Sequence, residues 1–371
     1  MTHCIVIGSG ILGSMTAYRL TKNGVNVTLI DKHVTGKATS AAAGIICPWL
    51  SKRRNKAWYH LAKEGARLYP KLVEELNSDG EMETGYARVG ALKLHDNREK
   101  LQETYDRGIK QIDDIPEMGS VRMLDNNETR KLVPLIGEEY ESIHVSGAAR
   151  VDGQLMNEAL INGAIKHGAK LIYGKATLLH TNEKVTGISV NGETITADTV
   201  VCTTGAWMKE TLKPLGITFK SRPQRGQILH FTPPTSGLEK WPVIMPLTNL
   251  SIVPFADHLV IGATHENNAD FNTHITAGGV HEILSKALDV IPDLSNWAIS
   301  DTRVGFRPMT PDSIPVIGTL PGNENLFIGN GLGASGLTTG PYVGEQLAKL
   351  VLGEELDIDL ANYDINNVID Q

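Results

Sequence analysis

The 371-residue sequence predicts a mixed chain, part α/β and part α+β, in which a doubly wound unit with a parallel sheet is joined to a domain built on an antiparallel sheet. Three observations predict this. A strand–turn–helix–strand order opens the chain at 3–31, and parallel-type units return near 150–205 and at the C-terminal end. Between them lie short alternating runs of antiparallel type, densest over 226–263. These units do not form one continuous β/α series, so one domain is assembled from separated segments with another inserted. The expected division assigns 1–84, 146–220 and 300–371 to the first domain, and 85–145 and 221–299 to the second. The length and a 41% hydrophobic content suit two intimately joined domains with ample core.

The elements follow in order. His3 to Ile7 reads as a strand, Leu12 to Asn23 as a helix stopped by Gly24, and Val25 to Ile30 as a second strand ending at Asp31. A helical pattern covers 57–76, a strand 85–94 and a charged helix 98–113. Arg150-Val151-Asp152-Gly153 leads into a helix over 154–167, followed by short strands over 170–190 with a turn at Asn191-Gly192. Thr199 to Thr203 is a buried strand ending at Gly205. The strand-rich stretch 226–263 turns at Pro233-Pro234, and a helix over 279–291 stops before Pro292. Leu326 to Ile328 is a strand, then a Gly-rich turn, then a helix to about Leu352 with Pro341 expected in its first turn.

The net charge of −7 and a pI near 6.0 exclude a general nucleic-acid binder, which would show a basic face. The run Lys52, Arg53, Arg54 is read as solvated surface. Cys4, Cys47 and Cys202 form no C-x-x-C pair, so no metal site is expected, and this usage suits a reducing cytoplasm. A strand directly at the N-terminus leaves no room for a signal peptide. No apolar run approaches the ~20 residues needed for a transmembrane segment.

Gly8-Ser9-Gly10-Ile11-Leu12-Gly13 is a G-x-G-x-x-G run that follows a strand and opens a helix, with Asp31 eighteen residues beyond its last glycine. Gly8 makes the turn, Gly10 lets backbone approach a pyrophosphate, and Gly13 permits close helix–strand packing. The helix N-terminus offers N–H groups and partial positive charge to phosphate, and Asp31 offers a carboxylate to ribose hydroxyls. This is a Rossmann-like dinucleotide site. Thr39-Ser40-Ala41-Ala42-Ala43-Gly44-Ile45-Ile46 then brings a second stretch of small-residue backbone towards a flat cofactor, which favours FAD over NAD.

Four features in this order resemble the D-amino-acid oxidase superfamily, in its glycine oxidase, sarcosine oxidase and D-amino-acid dehydrogenase branch. They are the glycine fingerprint, the Thr-Ser-Ala-Ala-Ala-Gly run, Thr203-Thr204-Gly205-Ala206-Trp207, and a C-terminal block. That block runs from Gly305-Phe306-Arg307-Pro308 through Pro315-Val316-Ile317-Gly318 to Gly329–Thr338. The resemblance covers essentially the whole chain. It implies an FAD-binding domain and an antiparallel-sheet substrate domain. FAD contacts would come from Gly8, Gly10, Ile11, Leu12, Gly13, Asp31, Lys32, Thr39, Ser40, Ala43, Gly44 and Ile45. Ala176 would meet the adenine, Gly205 would follow the buried strand into the site, and Gly333, Ala334, Ser335, Gly336, Leu337 and Thr338 would wrap the flavin. Two departures stand out: Gly153 where the family often has proline, and Ala334 where glycine oxidases carry a substrate arginine. With no cysteine after Cys202, the FAD is expected to be non-covalent.

The resemblance makes Arg307 the group that binds the substrate carboxylate. A planar guanidinium offers two parallel donors to that shape. The alternative use of Arg307 is an ion pair with Asp301 or Asp312. His265, at a strand end after Ile261-Gly262-Ala263-Thr264, matches a pocket position and could tune amine protonation. Arg225 is a second candidate pocket charge, and Cys47 a candidate cavity liner. The expected reaction is oxidative deamination of a small amino acid, a D-amino acid or glycine-like, by hydride transfer to flavin, with oxygen or another electron acceptor reoxidising it. The alternatives are a secondary-amine oxidase of sarcosine or D-proline type, and a non-catalytic dinucleotide-sensing protein.

Overall fold

The computed structural model describes residues 2–53, 55–181, 184–267 and 270–370. Its first sheet has six strands in the order Val316–Leu320, Asn323–Asn330, Thr199–Cys202, His3–Ile7, Asn26–Asp31 and Lys170–Tyr173. All neighbours are parallel except the hairpin formed by the first two. Strands from the beginning, middle and end of the chain therefore share one sheet, as a discontinuous domain requires. The central strands read as nearly unbroken apolar runs because both faces are covered. On one face Val6, Val27 and Leu29 pack on the helices Ile11–Lys22, Gly153–Lys166 and Gly336–Leu352. On the other, Ile5, Ile30, Val200 and Ile328 meet Leu178, Val185 and Ile188 of a small three-stranded sheet.

The second sheet has eight strands in the order Ala298–Met309, Arg222–Thr232, Leu259–Gly262, Ser251–Pro254, Val243–Met245, Ala91–His95, Glu141–Val145 and Val121–Leu124. It is antiparallel apart from the pair Val243–Met245 and Ala91–His95. Leu92, Leu229, Phe231, Ile252 and Ile261 bury its outer face against Ile283 and Ala287 of the helix Ala277–Leu288. Its inner face looks towards the six-stranded sheet. We propose that the two sheets mark two domains. The border expected at residue 300 falls inside the strand Ala298–Met309, which pairs along its length with Arg222–Thr232 and so belongs to the eight-stranded sheet.

Two other expectations shift for local reasons. The strand expected over 85–94 begins only at Ala91, because Gly85 and Gly90 take φ of +64° and +78° and interrupt extended backbone. Pro341 is not in the first turn of its helix. That helix starts at Gly336, so Pro341 lies inside it and leaves the carbonyl of Leu337, four residues earlier, without its helical donor. The buried Tyr69 hydroxyl donates to that carbonyl at 2.6 Å and replaces the missing bond. Tyr69 comes from the helix Lys56–Ser78, where Gly65 allows backbone contact with Thr338. A Cβ at Gly65 would collide with the Thr338 carbonyl.

Lys52 is exposed, as a solvated run predicts, but Arg53 is not free surface. Its guanidinium lies 4.6 Å from the centre of the Trp58 ring and donates to the carbonyl of Ser313. Arg54, the third residue of that run, lies outside the described residues. All three cysteines are buried free thiols. Among the described residues no helix is long and apolar enough to cross a membrane.

Candidate active site

A cavity of about 770 Å³ runs between the two sheets, from Asp31 at one end to Arg307 and His265 at the other. The first end is built by the opening strand–turn–helix. Gly8 has φ of +101°, and a Cβ there would stand 2.7 Å from the Thr203 carbonyl. Gly13 does not line the cavity. Its role is close packing, since a Cβ would collide with the Gly8 carbonyl. The helix Ile11–Lys22 begins with no side-chain cap and no acid in its first turn, and Thr39 accepts only the Ile11 N–H, at 3.1 Å. That leaves a helix N-terminus aimed at the cavity and suited to an anion.

The buried Asp31 carboxylate ends the second strand and takes hydrogen bonds from Ser9 and Lys37. Neither partner was foreseen from sequence. Ser9 is a variable position within the fingerprint, and the Lys37 contact depends on how 32–37 folds back. Lys32 lines the same end and faces Glu210 at 3.5 Å. Ala176 and Gly205 line the cavity.

The small-residue run forms the next wall. Thr39, Ala43, Gly44 and Ile45 face the cavity, but Ser40 does not; its hydroxyl turns back to the Lys37 carbonyl at 3.3 Å. Gly44 has φ of +97°, and Val151 donates to its carbonyl at 2.8 Å, so the run is tied to the strand pair Ile45–Ile46 and Ala149–Arg150. Gly153 now has a reason: a Cβ there would collide with the Thr39 carbonyl. Cys47, expected to line the cavity, is turned into the core. Burial pushes its thiol up to about 12, so it is neither a liner nor a nucleophile. Across the cavity, Gly333, Ala334, Ser335, Gly336, Leu337 and Thr338 form the opposite wall at the uncapped start of the last long helix.

Arg307 sits at the second end on the long edge strand, opposite Gln224 in register. Its Nη1 donates to Gln224 Oε1 at 3.0 Å and to the Thr264 carbonyl at 2.9 Å. Both acceptors are neutral. The ion pair considered from sequence is absent: Asp301 takes Arg303 at 2.7 Å, and among the described residues no carboxylate bridges to Arg307. Burial pushes Arg307 down to about 10, with Glu266 opposing that shift. Gly226 makes the space, since a Cβ there would stand 2.7 Å from Arg307 Nη2. Gln224 and Gly226 were missed from sequence because only strand register puts them beside Arg307.

His265 lines the cavity next to Arg307, with Nδ1 3.0 Å from Asn249 Nδ2. Burial and then the Arg307 charge lower its pKa. Arg225 is not a pocket charge. Neighbouring residues of a strand face opposite ways, so it turns from the cavity to Glu266, with Nε at 2.8 Å from Oε2. Among the described residues the wall of the substrate end carries no carboxylate, tyrosine or cysteine.

A long cavity with a phosphate-ready helix terminus at one end and, among the described residues, a guanidinium without a carboxylate partner at the other defines a dinucleotide-dependent oxidoreductase. Residues 3–350 match the DAO family of FAD dependent oxidoreductases, and the chain belongs to that family. It is similar to the uncharacterized oxidoreductase YurR of Bacillus subtilis (strain 168), at 50% identity over 98% of each chain. Among solved structures it resembles iminodiacetate oxidase from Chelativorans sp. BNC1, with 40% identity, a TM-score of 0.94 and coverage of 97% of this chain and 98% of that one. It also resembles glycine oxidase from Geobacillus kaustophilus, with 25% identity, a TM-score of 0.86 and coverage of 98% and 99%. The cofactor is FAD, and the carboxylate, the uncapped helix starts and the small-residue walls fit it. Family membership sets aside the reading as a non-catalytic sensor.

Proposed function

We propose that the protein oxidises the carbon–nitrogen single bond of a small amine carrying a carboxylate, giving an imine that water hydrolyses to a 2-oxo acid with release of ammonia or a primary amine. The observation that carries this reading is Arg307: a guanidinium inside the cavity, steadied by two neutral acceptors and unpaired with any described acid. Leaving such a charge buried without a partner is costly, and a substrate carboxylate supplies the partner. Bound FAD supplies the two-electron acceptor. The chain itself then binds, orients and excludes water. With no carboxylate, tyrosine or cysteine on the described wall of the substrate end, no strong base is at hand, so the amine must shed its ammonium proton before or during binding.

Two relatives support an amine as the reacting group, one named a glycine oxidase and one an iminodiacetate oxidase. The higher identity to the iminodiacetate oxidase, together with Ala334 in place of a substrate arginine, favours a secondary amine over glycine itself. We propose further that the FAD is non-covalent, since among the described residues no cysteine faces the cavity. The test is anaerobic bleaching of the yellow holoenzyme by D-amino acids, glycine, sarcosine, D-proline and iminodiacetate, followed by reoxidation with oxygen or a quinone. Bleaching by carboxylate-bearing amines and not by plain amines is expected. Plain amines reacting better would overturn the reading.

A further inference from the structure

Resting on that reading, we propose that His265 recognises a second acidic group of the substrate through its Nε2–H, and that Asn249 and Lys286 hold the ring hydrogen on that nitrogen. Lys286 Nζ can only donate. It donates to Glu282 at 2.6 Å and to Asn249 Oδ1 at 3.1 Å. The Asn249 oxygen is thereby committed, and its Nδ2 hydrogens face His265 Nδ1 at 3.0 Å. Nδ1 must accept, so the hydrogen of the neutral ring lies on Nε2.

A second proton on Nδ1 would point at the amide hydrogens. The charged groups around the ring also act on balance against it. Burial, Arg307 and Lys286 oppose an imidazolium, Glu282 and the Ala263 backbone carbonyl favour one, and the opposing side prevails. His265 is thus a neutral donor with a fixed direction. It stands one residue after Thr264, whose carbonyl holds Arg307 Nη1 at 2.9 Å, so the two donors are neighbours.

The acceptor for this hydrogen is an oxygen. A donor on the substrate nitrogen would hold the lone pair that becomes the imine π bond. Glycine and sarcosine each carry one carboxylate, which Arg307 takes. An N-carboxymethyl amino acid carries another across the nitrogen. The substrate class is therefore a small secondary amine with two carboxylates. Asn249 and Lys286 are positioning residues in this arrangement; neither needs to touch substrate.

The test uses the holoenzyme and two readouts. In ¹⁵N-histidine spectra, with His265 assigned through His265→Gln, the ring is expected neutral with its hydrogen on Nε2 near neutral pH. Lys286→Met is expected to release the amide and give mixed tautomers. In steady-state kinetics, His265→Leu is expected to raise KM for iminodiacetate about tenfold more than KM for sarcosine, the loss of one strong hydrogen bond. A hydrogen on Nδ1, a charged ring, or equal KM changes for the two substrates would overturn the proposal. If no amine acid bleaches the flavin, the proposed function itself fails, and the spectra still decide the tautomer separately.

Discussion

The two ends of the cavity each hold a buried charge and treat it in opposite ways. Asp31 is met from within the protein by Lys37 and Ser9. Among the described residues Arg307 is given only neutral acceptors, Gln224 Oε1 and the Thr264 carbonyl. An internal counter-charge suits a ligand that stays, because the site is stable while it is being assembled. An unmet charge suits a ligand that comes and goes, because each arrival supplies what the protein withholds. The same contrast appears in the walls. The Asp31 end is backbone packed against backbone through glycines, whereas the Arg307 end is made of side chains from neighbouring strands.

The largest expected effect tests the unmet charge. Arg307→Ala should lower kcat/KM for amino acids by about 10²- to 10⁴-fold, the loss of two charge-assisted bonds at roughly 1.5–3 kcal/mol each. The flavin spectrum should be unchanged. Arg307→Lys should recover little, because a lysine keeps charge without the fork. Unchanged kcat/KM in Arg307→Ala would remove the contrast altogether.

A smaller loss is expected from crowding the same guanidinium. Gly226→Ala places a methyl 2.7 Å from Arg307 Nη2 and should raise KM by about 10- to 100-fold, in line with roughly 1–3 kcal/mol for overpacking. FAD content should hold. Loss of flavin in place of a KM change would mean that Gly226 serves the fold and not the clamp.

At the other end, Asp31→Ala should weaken FAD retention by about 10- to 100-fold, from one charged hydrogen bond worth roughly 1.5–3 kcal/mol. Dilution followed by filtration and an absorbance spectrum measures it. Substrate KM in the flavin-loaded fraction should stay put. Lys37→Met should act in the same assay and to a lesser degree. If Lys37→Met tightens FAD, the internal counter-charge competes with the cofactor and the comparison reverses in sign.

The smallest effect concerns Arg225, which sits one residue from Gly226 yet faces Glu266. Arg225→Gln should cost about 1 kcal/mol, seen as a fall in Tm of roughly 1–2 °C. KM should not move. A KM change comparable to that of Gly226→Ala would return Arg225 to the pocket.

Much of the Asp31 end was legible in sequence because its parts are close in the chain and their roles are steric. Gly8, Gly10 and Gly13 need no tertiary context beyond a strand before and a helix after. Arg307 was legible through its motif. Its surroundings were not: Gln224 lies 83 positions away, and the Thr264 carbonyl 43. Register in an antiparallel sheet is a cooperative property, and a single strand does not announce its partner. Arg225 shows the cost of that gap, since a shift of one residue moves a side chain to the opposite face. Cys47 and Ser40 misled for a related reason. Ser40 lies between Thr39 and Ala41, and Cys47 lies two residues beyond Ile45, all three of which line the cavity, and loop backbone has no fixed period to say which neighbour turns in.

The hydroxyl of Tyr69 on the Leu337 carbonyl has a kinetic meaning. The start of the last helix, where one wall of the cavity is made, lacks the internal bond that Pro341 removes and is latched from another helix. Local opening of that turn therefore requires Tyr69 to let go. Its frequency would set how long FAD resides on the protein, apart from how tightly FAD is held at equilibrium. Removing only the oxygen, in Tyr69→Phe, would make that turn breathe faster and shorten the residence time of the cofactor. The reacting end would keep its geometry.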